Sequence, residues 1–208
     1  MIDKSTLVTY LIILTGFVFI PGPSVLLTLA RASSAGTRVG LATAAGIATA
    51  DLVHTIMAVV GLSALLMTSA FLFSLVKYAG AAYLIHLGVR AMLEKTKPSG
   101  LTKLPKISAG TAFRQAILVE VLNPKSALFF IAFLPQFVHP QNGPIGIQLA
   151  VLGILFVVMG ALSTTLVALC AGSLSTLLHG SPVILRWQGK VVGTVYCALG
   201  IRLAFQEP

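Results

Sequence analysis

One carboxylate of this chain stands near the middle of a long apolar stretch, where a charge is costly. This carboxylate is Asp51, and His54 follows it by three residues, so both lie on one face of a helix. Such a pair can exchange protons, or Asp51 can bind the ammonium group of a substrate. The structural alternative is that Asp51 pairs with Lys125 while His54 binds a backbone carbonyl.

A second polar cluster interrupts another apolar stretch and consists of Glu120, Asn123, Pro124 and Lys125. Pro124 has no N–H group, so it frees the carbonyl of Glu120 from its helical partner. A charge near the bilayer centre costs about 2.5 to 3.5 kcal/mol on insertion scales, so Glu120 and Lys125 are expected to face the protein interior. They either serve a substrate or form a structural pair, in which Arg114 is the other candidate partner of Glu120.

The run Pro21-Gly22-Pro23 interrupts the first apolar stretch, and Ser24 follows it. Both prolines remove backbone donors, so a helix broken here must bury its ends in protein or along a cavity. The half-helix that starts near Ser24 points its positive end at the break, where a substrate carboxylate can dock. The alternative is a proline kink that serves only helix packing.

Sequence patterns for catalysis are absent. The chain has no Gly-x-Ser-x-Gly, His-Glu-x-x-His, P-loop or Gly-x-Gly-x-x-Gly motif, and its four histidines are scattered. Its two cysteines, Cys170 and Cys197, lie in apolar segments without the spacing of a disulfide framework or a metal site. The sequence therefore predicts neither an enzyme nor a cofactor or metal.

The composition is that of a membrane protein. Of the 208 residues, 57% are hydrophobic and 9% charged, and the mean hydropathy is +0.98, whereas globular domains are about 45 to 50% apolar. Charge-free runs at 5–30, 52–76 and 126–185 each exceed the roughly 18 residues that a spanning helix needs. The net charge of +9 comes from basic residues that lie mostly between the apolar runs, which indicates membrane topology rather than nucleic-acid binding.

We expect an all-α integral membrane protein with six transmembrane helices in a single domain, 1–208. The polar segment 94–114, predicted to be a basic cytoplasmic loop, separates a first half, 1–93, from a second half, 115–208. Because each half has an odd number of spans, similar halves must lie in the membrane with opposite topology, as inverted three-helix repeats. The first and fourth helices are expected to be broken at their prolines. The predicted spans are 7–29, 39–66, 70–89, 115–138, 146–173 and 187–205.

Weak internal similarity supports the repeat. Pro23 and Pro124 are each followed closely by a serine, Ser24 and Ser126. The stretch Gly80-Ala81-Ala82-Tyr83 also resembles Gly193-Thr194-Val195-Tyr196.

Loop charges predict the orientation. Most Lys and Arg residues lie in loops on one side, and only Lys4, Lys77 and Arg202 lie on the other, so the basic loops are expected to be cytoplasmic and both termini outside. Lys77 and Trp187, near predicted span ends, are interpreted as interfacial anchors. Glycines that recur every seven residues predict close packing of the fifth span, at Gly146, Gly153 and Gly160.

With these features in place, the chain resembles the LysE/RhtB superfamily of bacterial amino-acid exporters over nearly its whole length. The resemblance rests on Pro-Gly-Pro at 21–23, the acid-bearing second span, the segment 83–90 and the run Leu-Asn-Pro-Lys-Ser-Ala-Leu-Phe-Phe at 122–130. It implies a multi-pass protein of the bacterial cytoplasmic (inner) membrane that exports amino acids or close derivatives by proton-driven antiport. The resemblance assigns seven residues to the transport centre: Pro21, Gly22, Pro23, Asp51, Asn123, Pro124 and Lys125. Glu120, by contrast, is a variable position of the family pattern.

Three hypotheses follow. The first is an exporter whose two half-helix N-termini hold a substrate carboxylate with help from Lys125, while Asp51 takes the ammonium or a proton. The second is a cation channel or ion transporter that uses the carbonyls freed by the prolines, those of Phe17, Phe19 and Glu120. The third is a membrane-embedded enzyme using Asp51 and His54. The expected partners are an amino-acid substrate, protons and the lipid bilayer, without nucleic acid; a homo-oligomer is left open.

Overall fold

The computed structural model describes residues 2–19, 22–63, 70–93 and 104–171, and a few single residues from 190 onward. All regular elements within these residues are helical, which confirms the all-α prediction. The α-helices are α1 (Lys4–Phe19), α2 (Pro23–Ala35), α3 (Thr37–Met57), α4 (Ala70–Leu93), α5 (Ala109–Val121), α6 (Pro124–Leu128) and α7 (Ile145–Leu169).

Two of these helices continue in other helical geometries. A π-helical segment, Ala58–Leu62, extends α3. The short α6 runs into a π-helical segment, Phe129–Phe133, and then a 3-10 segment, Leu134–Phe137. A further 3-10 turn, Pro140–Asn142, precedes α7. Irregular helical turns of this kind often accompany functional sites in helical proteins.

Between two and four candidate membrane spans lie within the described residues. Thr37–Leu62 has 26 residues with hydropathy 1.6, and Ile145–Leu169 has 25 residues with hydropathy 2.5, so each is long and apolar enough to cross a bilayer. The axis bends by 46° between α1 and α2, and by 45° between α5 and Pro124–Phe137. Counting each bent pair as one span gives four candidate spans.

These elements fall where the first, second, fourth and fifth spans are predicted, and both helix breaks lie at the predicted prolines. Helix α4 covers the third predicted span, 70–89. The sixth, 187–205, lies largely outside the described residues, as does most of the predicted loop up to residue 103. The arrangement of six spans as inverted repeats therefore stays a prediction.

Helix α3 packs against α2, α5 and α7 and brings its polar face to the centre of the molecule. The glycines of α7 allow this approach, as the sequence predicts. A Cβ atom placed on Gly160 would lie 3.3 Å from Oδ2 of Asp51, and one on Gly153 would lie 2.8 Å from Oγ1 of Thr55. Beside this contact, buried aromatic rings form the core: Tyr10, Phe17, Phe129, Phe130, Phe133, Phe137 and Phe156.

Two sequence expectations are wrong in detail. Lys77 is not an interfacial anchor, because it is only 2% exposed and its Nζ lies 4.7 Å from the centroid of the Tyr78 ring, a cation–π contact. The polar loop predicted at 94–114 ends at residue 108, since α5 already begins at Ala109. Ser108 caps this helix, because its hydroxyl accepts a hydrogen bond from the N–H of Thr111 at 3.2 Å. Trp187 lies outside the described residues.

One of the charges counted as topological is buried. Arg31, at 7% exposure, donates from Nη1 to the carbonyl of Pro105 at 3.0 Å and from Nη2 to Oε1 of Gln115 at 2.8 Å. The end of α2 is thereby tied to the segment that leads into α5.

Candidate functional site

The first helix break separates α1 from α2. Pro23 is the first residue of α2, a position where its missing N–H group removes no helical hydrogen bond. Gly22 precedes it in an extended conformation, with φ of −115°. Pro21, which the sequence assigns to this site, lies outside the described residues.

The carbonyls at the end of α1 bind side chains from other helices. The carbonyl of Phe17 accepts a hydrogen bond from Nζ of Lys125 at 2.9 Å. The carbonyl of Val18 accepts one from the hydroxyl of Ser163 at 3.1 Å. The protein itself therefore supplies the donors that the broken helix lacks, as buried backbone groups require.

The second helix break lies between α5 and α6. Asn123 caps α6, because its Oδ1 accepts a hydrogen bond from the N–H of Lys125 at 3.0 Å, and Pro124 is the first helical residue. The carbonyl of Glu120, predicted to be freed by Pro124, lies 3.2 Å from Nε2 of His54 and accepts the N–H of Asn123 at 3.0 Å.

His54 is held in place by this carbonyl. A carbonyl only accepts hydrogen bonds, so Nε2 of His54 carries the proton in the contact. The His54 ring also stacks on Phe130, with centroids 5.5 Å apart. These contacts match the structural alternative for His54.

The side chain of Glu120 joins the two breaks. Its carboxylate, 2% exposed, accepts hydrogen bonds from the hydroxyls of Ser24 in α2 and Ser126 in α6. The amide of Asn123 lies 3.2 Å from each carboxylate oxygen and 3.0 Å from the hydroxyl of Ser24. A buried carboxylate with this many donors is well stabilised.

Asp51 is the other buried carboxylate, and its environment differs. Its side chain is 2% exposed, and its Oδ1 has no hydrogen-bond partner among the residues that the structure describes. Its Oδ2 faces Gly160 of α7. A buried carboxylate oxygen without a donor is costly, which is typical of a group that serves a ligand or a proton.

Lys125 extends from the second break to the first. Besides its hydrogen bond to Phe17, its Nζ lies 4.4 Å from the centroid of the Phe17 ring. The stem passes along Gly22, where an added Cβ atom would lie 3.1 Å from Cδ and 3.2 Å from Nζ of Lys125. Lys125 is itself buried, at 8% exposure.

These groups line one small cavity of about 40 Å³ between the two breaks. It contains three of the predicted charged residues, Asp51, Glu120 and Lys125, whose charges interact with one another. Its wall combines polar and apolar side chains: Phe17, Val18, Ser24, Val25, Ile47, Ser126, Phe156 and Thr164, with Gly22 and Gly160.

The structure brings most of the residues singled out in the sequence together around this cavity. The cavity is lined by Gly22, Ser24, Asp51, Glu120 and Lys125. Asn123 and His54 form hydrogen bonds with Glu120. Pro23 and Pro124 begin the two half-helices. Ser126 and Thr164 are additional polar residues of the wall. The repeated serine after each proline is the signal that points to Ser126; Thr164 has none.

The arrangement suits small charged molecules. It offers an acceptor for an ammonium group at Asp51, hydroxyl donors at Ser24 and Ser126, and a cation at Lys125. The carbonyls of Phe17 and Glu120, which a cation channel would use, bind N–H groups of Lys125 and His54 in this conformation.

Comparison with known proteins gives a consistent result. A family model described as LysE type translocator matches residues 15–207. A homoserine/homoserine lactone efflux protein of Salmonella typhimurium is 31% identical over 199 residues, which cover 94% of each chain.

Two further relatives are uncharacterised membrane proteins. The one from Vibrio cholerae is 30% identical over 204 residues, covering 97% of this chain and 98% of the relative. The one from Bacillus subtilis is 32% identical over 166 residues, covering 76% and 79%. No solved structure matches. Because the family model extends over nearly the whole chain, the protein belongs to the LysE-type translocators, a family of transport proteins of the membrane.

Proposed function

We propose that this protein exports amino acids or close derivatives across the bacterial cytoplasmic membrane in exchange for protons. The observation that carries the proposal is the buried Asp51, whose Oδ1 has no hydrogen-bond partner among the described residues and which lines a cavity between two helix breaks. The efflux function of the Salmonella relative supports the substrate class, since homoserine and its lactone are small α-amino compounds.

Recognition of such a substrate needs one protein group for its ammonium and another for its carboxylate or carbonyl oxygen. Asp51 binds the ammonium of the substrate. Ser24 and Ser126, near the starts of α2 and α6, lie where hydroxyl and backbone donors can receive a carboxylate or a carbonyl oxygen. Glu120 must then release these hydroxyls.

Exchange with protons follows from the single charge of Asp51. Facing the cytoplasm, Asp51 releases a proton and binds the substrate ammonium. Facing outward, it releases the substrate and takes a proton before it returns. Because the two ligands compete for one carboxylate, export and proton entry are coupled with opposite directions.

Transport requires the helices to move apart. A cavity of about 40 Å³ has room for a few water molecules only, so an amino acid does not fit without rearrangement. The breaks before Pro23 and Pro124 provide places at which each half-helix can tilt, as in transporters built on discontinuous helices.

Amino-acid efflux from dipeptide-fed bacteria tests the proposal. We compare cells with wild type, Asp51→Asn, Asp3→Asn or no protein, measuring amino acids inside and outside by mass spectrometry and protein level by immunoblot. Asp3→Asn makes the same chemical change at an exposed position before α1, where asparagine can still accept the N–H of Thr6. Wild type and Asp3→Asn should accelerate efflux of particular amino acids several-fold, and Asp51→Asn should not. Unchanged efflux in a well-inserted Asp51→Asn protein contradicts the role of Asp51.

Proton coupling has its own measurement. In everted vesicles, uptake of the exported amino acid should rise several-fold when the lumen is acid and should fall to the no-protein level when a protonophore removes the gradient. Uptake that ignores the gradient overturns antiport while leaving export intact. Ion currents at rates far above carrier turnover would favour the channel hypothesis instead.

A further inference from the structure

The ammonium of Lys125 occupies a specific environment at the end of α1. It donates to the carbonyl of Phe17 at 2.9 Å and lies 4.4 Å from the centroid of the ring of the same residue. The last carbonyls of a helix carry partial negative charge, and the face of an aromatic ring is also negative. Both features attract a cation, and the carbonyl additionally requires a cation that has an N–H group.

Asp51 adds a third acceptor to the same cavity. It is 2% exposed, and its Oδ1 has no hydrogen-bond partner among the residues that the structure describes. A carboxylate accepts hydrogen bonds only, and an ammonium group donates three. A carbonyl, an aromatic face and a carboxylate together fit a primary ammonium better than a metal ion, since an aromatic ring is a poor metal ligand.

The chain makes room for this group from the side of the first break. The stem of Lys125 lies against Gly22, so any side chain at position 22 would press on Cδ and Nζ, the two atoms that lie 3.1 and 3.2 Å from the position of its Cβ. The residue that delivers the ammonium belongs to the second break, at the start of α6. Its four-carbon stem is flexible, so the ammonium can move away from Phe17 by a change of rotamers.

We propose that Phe17 and Asp51 form a subsite for a primary ammonium group. Lys125 occupies the Phe17 side of this subsite in this conformation, and the α-ammonium of the substrate enters when Lys125 moves away. The second half of this statement rests on the proposed export function. The subsite distinguishes primary ammonium groups from quaternary ones, because a quaternary ammonium has no N–H to give to the carbonyl of Phe17.

Removing the lysine side chain should leave a subsite that an added amine can fill. In Lys125→Ala, n-propylammonium supplies the three carbons and the ammonium that the substitution removes. We expect n-propylammonium to raise the thermal unfolding midpoint of purified Lys125→Ala saturably, by about 3 °C, a shift typical of specific ligand binding to a chain of this size. Tetramethylammonium at equal ionic strength should give no shift.

Matched variants define the subsite. Lys125→Met keeps most of the stem and fills the space, so it should not respond to n-propylammonium. Lys4→Ala removes an exposed lysine at the start of α1 and should behave like wild type, without a response. Adding Asp51→Asn to Lys125→Ala should abolish most of the shift. Equal responses of wild type and Lys125→Ala, or equal effects of the two amines on Lys125→Ala, overturn the subsite.

If Lys125→Ala does not accumulate in the membrane, its yield becomes the measurement. Growth with n-propylammonium should then restore the yield several-fold, whereas tetramethylammonium should not. Failure of both amines to restore it overturns the proposal.

The substrate half is tested with the wild-type protein. An amino acid that the protein exports should compete for uptake into everted vesicles at least about tenfold better than its N-trimethyl derivative, the loss expected when a buried acceptor goes unpaired. Equal competition overturns the entry of the α-ammonium. If n-propylammonium stabilises Lys125→Ala but the wild-type protein exports no amino acid, the subsite stands and the proposed function is wrong.

Discussion

Ser24 and Ser126 donate hydrogen bonds to opposite oxygens of one carboxylate, that of Glu120. Each serine closely follows the proline that begins its half-helix, one in the first half of the chain and one in the second. The two breaks are therefore connected through a single buried carboxylate.

We expect Ser24→Ala and Ser126→Ala to destabilise the protein. A hydrogen bond to a buried charge contributes about 1.5 to 3 kcal/mol, so each variant should lower the thermal unfolding midpoint in detergent by about 3 to 12 °C. Ser63→Ala is the matched control, because the buried Ser63 hydroxyl has no hydrogen-bond partner among the described residues. An equal loss in Ser63→Ala would show that the effect does not come from Glu120.

Gly22→Ala should impair transport more than folding. The added methyl group would press on Lys125 and narrow the cavity that Gly22 lines, so efflux should slow several-fold in the assay with dipeptide-fed cells. Gly16→Ala is the control, since an added Cβ at that position meets nothing within 4 Å. It should leave efflux unchanged and raise the unfolding midpoint by about 1 to 4 °C through helix propensity. Wild-type efflux in Gly22→Ala would contradict the importance of the lysine position.

His54 should act as a hydrogen-bond donor rather than as a proton carrier. His54→Leu leaves the carbonyl of Glu120 without one donor and should lower the unfolding midpoint by about 2 °C or more. His54→Gln keeps an N–H group of similar reach but cannot titrate, so it should retain uptake that depends on the proton gradient in everted vesicles. Loss of this dependence in a stable His54→Gln protein would assign the proton to His54 instead.

Arg31 should hold the segment that enters α5. Arg31→Lys cannot reproduce both hydrogen bonds, to Pro105 and Gln115, because lysine lacks the planar fork of arginine. Loss of one charged hydrogen bond of about 1.5 kcal/mol should speed hydrogen exchange at residues 106–107 about tenfold. Arg38→Lys, an exposed substitution nearby, should leave the exchange unchanged. Equal exchange in both variants would make Arg31 a topological charge only.

The helix breaks could be predicted because their cause is local. Pro21, Pro23 and Pro124 lack an N–H group. That property alone predicts that α2 and α6 begin at these prolines and that the carbonyls four residues earlier, those of Phe17 and Glu120 among them, need other partners. The cost of a charge in lipid likewise predicts that Asp51, Glu120 and Lys125 are buried. All three are 8% exposed or less.

The partners themselves could not be predicted, since they are distant in sequence. Lys125 and Phe17 are 108 residues apart, and nothing near either one indicates the other. Arg31 shows the same limit, because a basic residue near the end of a span is typical of a loop charge and only its contacts reveal the buried role. The start of α5 is different, because Ser108 is a residue type that favours the N-cap position and its hydroxyl accepts a hydrogen bond from a backbone N–H of the first turn.

The distance between Phe17 and Lys125 also sets an order of events in biosynthesis. Phe17 enters the membrane long before its partner exists, because 108 residues must still be added, which takes about 5 to 20 s at ordinary rates of synthesis. During this time the carbonyl of Phe17 must be satisfied by water or by the translocation machinery, because Pro21 offers it no N–H group. The first broken helix therefore acquires its final shape only after the ribosome has completed the second break.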